Sequence, residues 1–281
     1  MMDIRIGHEI EIICEQATHL VCLLAVHPER AADLHAPERV WTAPDVPVET
    51  YEDGFGNHCR RFTAPAGSFT FGSDAVISDT GLPDIVQPDA REMEIARLPA
   101  DVVQYLVGSR YCETDVLSPL AWSLFGTTPR GWARVQTIAD YVHDRLQFGY
   151  GHARSTRTAS EAHEEQVGVC RDFAHLMLAM TRAMNIPARY VNGYLGDIAV
   201  PAMPDPMDFS AWCEVWLEGP DGGRWYTFDA RHNRPRVGRV VVARGRDATD
   251  VPLINSFGPH VLQRFKVWTD EVPPDSARTA A

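Results

Sequence analysis

The sequence predicts an α+β fold: a β-sandwich at the amino terminus, then a domain in which helices pack on an antiparallel sheet. Three observations predict it. The first 90 residues break into short apolar runs punctuated by Gly, Pro and Asp, as in sandwich proteins. Helical periodicity takes over after a break at Gly81-Leu82-Pro83-Asp84 and Gln87-Pro88-Asp89-Ala90. Near the end, two strand-like runs flank Gly219-Pro220-Asp221-Gly222-Gly223, a hairpin signal.

Composition sets the bounds. A chain of 281 residues is near the upper limit for one core. The expected organisation is therefore a β-rich domain over 1–90, a second domain over 91–272 and a flexible tail over 273–281. Hydrophobic content of 45% and charged content of 23% are those of a soluble globular protein. A net charge of -12 argues against nucleic acid or an acidic membrane surface as partner. Neither a signal-peptide core nor a membrane-length apolar run is visible. The cysteines at 14, 22, 59, 112, 170 and 213 lack zinc-finger spacing, and reduced thiols in the cytoplasm are the natural reading.

The elements follow in order. Glu9-Ile10-Glu11-Ile12 alternates, and the run from His19 to Val26 is stopped by Pro28. Cys59-Arg60-Arg61-Phe62, Gly67 to Gly72 and Ala75 to Ser78 read as further strands. His8, His19, His27, His35 and His58 are too evenly spread for a metal site. Pro99 opens a short helix, and Trp132, Val135, Ile138, Ala139, Val142 and Leu146 mark a longer one. His152, Arg154 and Arg157 read as a solvated loop. Ala188 to Leu195, Phe209 to Leu217, Arg224 to Ala230, Val237 to Ala243 and His260 to Thr269 read as strands, with a proline-rich loop over 199–208.

The chemistry centres on Gly168-Val169-Cys170-Arg171-Asp172-Phe173. Glycine gives a bend, and Phe173, Leu176, Met177, Met180 and Met184 recur at helical spacing, so Cys170 opens a buried helix. Unpaired N–H groups and the dipole there favour a thiolate, which is the nucleophile, and Arg171 adds positive charge. A structural cysteine is the alternative.

Four stretches, in order, resemble the transglutaminase-like superfamily with its papain-like core. They are Gly168 to Ala174, Asn185 to Tyr194, Ser210-Ala211-Trp212-Cys213-Glu214-Val215 and Trp225-Tyr226-Thr227-Phe228-Asp229-Ala230. Tyr51 to Asn57 and its neighbours resemble the β-rich amino-terminal region of bacterial members. The resemblance implies a Cys-His-Asp triad, with Cys170 as cysteine and Asp229 as aspartate. The family histidine precedes Ala-Trp, and Ser210 stands there. Serine has no pKa for base work near neutrality. His232, just past the strand, is the expected replacement, and a loop residue capping the turn is the alternative. Folding the hairpin about its turn is expected to set Ser210 beside Asp229. His175 points away from Cys170 along its helix.

Three functions follow. A thiol enzyme acts on amide bonds of a peptide or protein through a Cys170 acyl-enzyme, by hydrolysis or acyl transfer, with no cofactor or metal. A pseudoenzyme of the same fold binds peptide without turnover, for which Ser210 is the best argument. A metal protein using Cys170, His175 and Asp229 ranks last, because their spacing matches no metal pattern.

Overall fold

The structure is a computed structural model that describes residues 1–203 and 206–273. The expected tail, past Pro273, and positions 204 and 205 of the proline-rich loop lie outside the described residues.

Six strands fill the first part of the chain: β1 (Met2–Cys14), β2 (Thr18–Cys22), β3 (Arg39–Ala43), β4 (Glu49–Glu52), β5 (His58–Ala64) and β6 (Gly67–Asp79). The remainder is mixed: α1 (Ala100–Val103), α2 (Thr114–Phe125), α3 (Trp132–Arg145), β7 (Gln147–Phe148), α4 (Ala159–Glu165), β8 (Val167–Gly168), α5 (Cys170–Ala183), β9 (Ala188–Tyr194), β10 (Ser210–Gly219), β11 (Gly222–Phe228), β12 (Val240–Gly245), β13 (Ile254–Ser256) and β14 (His260–Val272). The fold is α+β, as the sequence predicts.

Two antiparallel sheets, ordered β14-β1-β6-β3 and β13-β2-β5-β4, form the sandwich. Alternate residues of β1 (Ile4, Ile6, Ile10 and Ile12) are fully buried, the period expected of a strand with one face in a core. Phe62 of β5 meets Phe71 of β6 across the layers, with ring centroids 5.1 Å apart. The last two strands of the chain complete sheets that the first two begin: β14 pairs with β1, and β13 with β2. Pairing between such distant segments leaves no mark in local sequence pattern.

A third sheet, ordered β11-β10-β9-β12, carries the hairpin. Gly219 pairs with Gly222 around Pro220-Asp221, and Gly222 sits at φ +104, which only glycine takes without strain. Against this sheet lies α5, buried from Asp172 to Ala183. Its apolar positions face α2, α3 and α4 as well as the sheet, so the helix is enclosed rather than amphipathic at a surface. It stops at Asn185, whose φ of +61 turns the chain while the Ile186 N–H bonds back to the Thr181 carbonyl at 3.2 Å, before Pro187.

Two helices lie where the sequence reads as connecting chain. Pro119 inside α2 disguises it, and α4 begins within the Arg- and Ser-rich stretch before Cys170. That stretch is not solvated throughout. Arg157 is buried and donates to Asp172 Oδ2 at 3.0 Å, to Glu165 Oε2 at 3.0 Å and to the His152 carbonyl at 2.6 Å. The reason is Asp172, whose buried carboxylate needs a counter-charge. No helix among the described residues is long and apolar enough to cross a membrane.

Candidate active site

Cys170 is the first residue of α5. The start of this helix is held by Asp172, whose Oδ2 accepts the Val169 N–H at 2.9 Å. A Cβ on Gly168 would lie 2.6 Å from the Asp172 Cβ, so glycine is needed for this close approach. Sulfur Sγ of Cys170 lies 4.0 Å from the Phe209 carbonyl, just ahead of β10. Helix start and hairpin edge thus meet at the thiol. The other five cysteines are buried, and all six are free.

The electrostatics differ from the expectation of an easily ionised thiol. Burial pushes the Cys170 thiol up to about 11; Arg231 and the Ala211 N–H pull the other way without overcoming it, and Asp208 and Asp229 add to the rise. Arg171 does not supply the charge. Its guanidinium bonds the Ser155 carbonyl at 2.8 Å and the Arg154 carbonyl, and lies over the Tyr111 ring. The shift keeps Cys170 in its thiol form near neutral pH.

Asp229 follows β11 and is buried. Its Oδ1 accepts the N–H groups of Arg231 at 3.0 Å and His232 at 3.2 Å, a local turn that fixes the next three residues. Its Oδ2 lies 2.8 Å from His232 Nδ1 and accepts from Arg239 Nη2 at 2.9 Å. Burial raises the carboxyl, but the Arg239 guanidinium and the His232 hydrogen bond overcome it and hold Asp229 well below the usual carboxylate range. An ionised carboxylate only accepts, so Nδ1 of His232 carries the hydrogen of this contact.

Ser210 is not the cross-strand neighbour of Asp229. The β10–β11 ladder ends at Cys213 opposite Phe228, and Ser210 pairs with Gly193 of β9 instead. The tight turn sets this register, which would carry Asp229 level with Trp212. Ser210 nevertheless occupies a central place. It lines a groove of about 460 Å³ together with Cys170, Ala211, Leu262 and Phe265. It also lines an adjoining recess of about 50 Å³ with His232, Arg231, Tyr150 and Asp208. Its buried hydroxyl has no hydrogen-bond partner among the described residues.

The structure therefore gathers the four residues named from sequence into one region, but not as a linked triad. No histidine nitrogen lies within hydrogen-bond reach of Cys170 among the described residues. His175 is engaged elsewhere: it stacks on Tyr111 at 5.1 Å, accepts the Ala248 N–H at 3.2 Å, and is lowered to about 3 by burial, with Arg171 adding to the drop. No group of three or more His, Cys, Asp and Glu that could hold a metal occurs among the described residues.

Sequence reasoning missed Arg239 and Arg231. Arg239 falls inside the valine-rich run read from sequence as a strand and stands immediately before β12, and a charge in that apolar run was the available signal. It also reaches Asp84 at 2.9 Å and lies over the Trp212 ring at 4.8 Å, so a three-part ion network anchors Asp229. Arg231 lies over the Phe148 ring at 3.8 Å.

Comparison with known proteins agrees with this architecture. Residues 122–230 match the model of the transglutaminase-like superfamily; the span contains Cys170, Ser210 and Asp229 and ends just before His232. A solved structure from Cytophaga hutchinsonii, described as a candidate cysteine protease, shares 27% sequence identity at a TM-score of 0.83, covering 98% of this chain and 92% of that one. An uncharacterized protein of Mycobacterium leprae is 28% identical over 231 residues, 76% of this chain and 77% of its own length. One from Mycobacterium tuberculosis H37Rv is 28% identical over 218 residues, covering 72% and 69%. Residues 122–230 thus resemble the transglutaminase-like superfamily, in a chain that shares the fold of the Cytophaga hutchinsonii structure over nearly its whole length and whose last strands complete its own β-sandwich.

Proposed function

We propose that this protein is a thiol enzyme acting on amide bonds of a peptide or protein in the cytoplasm, with Cys170 as nucleophile and His232 as base in place of the residue at 210. The observation that carries the reading is the His232–Asp229 contact of 2.8 Å, an imidazole oriented by a buried, ionised carboxylate beside the thiol groove.

The chemistry runs through Ser210. Ser210 borders both spaces, and a hydroxyl can accept one hydrogen bond while donating another, so this group, unpartnered among the described residues, is the one assigned to carry a proton between thiol and imidazole. The thiol proton passes through this hydroxyl to the imidazole as sulfur bonds to the carbonyl carbon. Charge developing on the carbonyl oxygen is met by N–H groups at the start of α5. The C–N bond then breaks, and the leaving amine takes the proton back from the imidazolium. Water hydrolyses the thioester, or a second amine captures the acyl group; none of these steps needs a cofactor. Cys170→Ala and His232→Gln are the test on a peptide-amide library. The first abolishes turnover, and the second lowers it by about 10²–10⁴-fold, the usual worth of a positioned base. Full activity in either variant overturns the reading.

A second reading, a pseudoenzyme that binds peptide without turnover, is favoured by the thiol lifted to about 11 and out of reach of any described histidine. In that case the groove binds peptides equally in wild type and His232→Gln, and neither cleaves them.

A further inference from the structure

We infer that Arg231, backed by Arg236, forms a carboxylate-binding subsite beside Cys170, so that the preferred substrate carries a free carboxylate close to the attacked carbonyl. As a statement about substrate this rests on the amide chemistry proposed above; as a statement about binding it does not.

The first observation is that Arg231 is a cation with no carboxylate in contact distance among the described residues: its guanidinium rests on the Phe148 ring at 3.8 Å and bonds the Tyr150 hydroxyl, while the Asp208 carboxylate interacts with it only through charge. Guanidinium groups in partly buried sites normally find a carboxylate, because the planar fork matches one. The second is Arg236, buried in the wall of the same recess. It donates from Nη2 to the Gly196 carbonyl at 2.8 Å, yet its Nε has no partner. With His232, three basic side chains face one small space.

Two acids also line it, and both are engaged. Asp197 accepts the Met203 N–H at 2.7 Å and lies 4.0 Å from Arg236. Asp208 accepts the Phe209 N–H at 2.7 Å and is a partial counter-charge to Arg231, which an incoming carboxylate would share. Size sets the ligand class. The recess holds about 50 Å³, enough for a carboxylate and too little for a bulky side chain. It shares Ser210 and Asp208 with the groove that holds Cys170, so an anion there sits next to the bond under attack. The carboxylate can be a peptide C-terminus or an acidic side chain.

The test uses two alkylating reagents of nearly one shape, neutral iodoacetamide and anionic iodoacetate, with Cys170 labelling rates read by mass spectrometry and glutathione as reference thiol. Relative to glutathione, Cys170 should favour iodoacetate by at least about tenfold, the scale of one nearby charge in a protein environment. Arg231→Gln should remove that preference, and Arg231→Lys should keep part of it. The wild-type ratio stands without any variant, so misfolding of Arg231→Gln leaves the test intact. A wild-type ratio equal to that of glutathione overturns the proposal. Protection from iodoacetamide by N-acetyl-dialanine but not by its amide assigns the subsite to a C-terminus. Protection by an aspartyl peptide amide assigns it to a side chain. A clear iodoacetate preference with no cleaved peptide leaves the subsite standing and removes the amide chemistry; cleavage without the preference does the reverse.

Discussion

Nδ1 of His232 lies 2.8 Å from Oδ2 of Asp229, although the two residues belong to a turn rather than to facing strands. A base positioned from a turn needs nothing at 210 but a residue that lets a proton through. Under the proposed mechanism serine plays that part, and the difference from the family pattern at 210 is relocation of the base rather than its loss.

The role of Ser210 can be isolated. Ser210→Ala should keep the fold, because the hydroxyl has no partner to lose, while lowering turnover by about 10²–10³-fold through loss of the proton relay. Ser210→His in a His232→Ala background should recover part of the activity. Turnover measured in wild type, Ser210→Ala, His232→Ala and the double variant decides it: an active Ser210→Ala protein removes serine from the mechanism.

Arg239 is expected to be structural as well as electrostatic. It is the main counter-charge of buried Asp229 and is held by Asp84 at 2.9 Å. Arg239→Met should cost about 3–5 kcal/mol, the range for removing one partner of a buried pair. Urea unfolding measures it, and an unchanged midpoint would show the network to be dispensable. Asp229→Asn in the same background should restore part of the loss, since it removes the orphaned charge.

Arg157 offers a parallel case at the start of α5. Arg157→Met strands the Asp172 carboxylate that holds the Val169 N–H, and should cost a similar ~3–5 kcal/mol. The Cys170 amide should lose hydrogen-exchange protection together with its neighbours in the first turn of α5. Protection that stays uniform along the helix would contradict this assignment.

Stability in alkali should fall early. Burial raises Cys22 and Cys112 to about 12, and Cys59 and Cys170 to about 11, against an ordinary 9.0. The folded state therefore keeps protons that the unfolded state gives up. This contribution is fully present below pH 9 and is lost as pH rises toward 11–12. Each thiol adds a slope of about 1.4 kcal/mol per pH unit in that window. Unfolding free energies between pH 8 and pH 11 check this, and a flat profile would contradict it.

Much of this molecule was legible from local pattern. The bend at Gly168, the apolar period behind Cys170 and the Pro220-Asp221 turn each act within a few residues, and each stands where expected. What escaped depends on distance in sequence. The attachment of β14 to β1 is one case, and the burial of Arg157 by its partner Asp172 is another. Ser210 beside Asp229 failed for a finer reason: the turn fixes a register in which the ladder ends before either residue. The direction of the Cys170 shift was hidden because Arg171 turns toward loop carbonyls, and only the packed structure shows how much water the sulfur loses.

The central claim, that His232 is the base for Cys170, is tested most directly by the pH dependence of Cys170 alkylation in wild type and His232→Ala. The account predicts two limbs in the wild type, one that depends on His232 and one near the thiol at about 11. It predicts loss of the His232-dependent limb alone in His232→Ala. A single limb near 11, identical in both proteins, would contradict it.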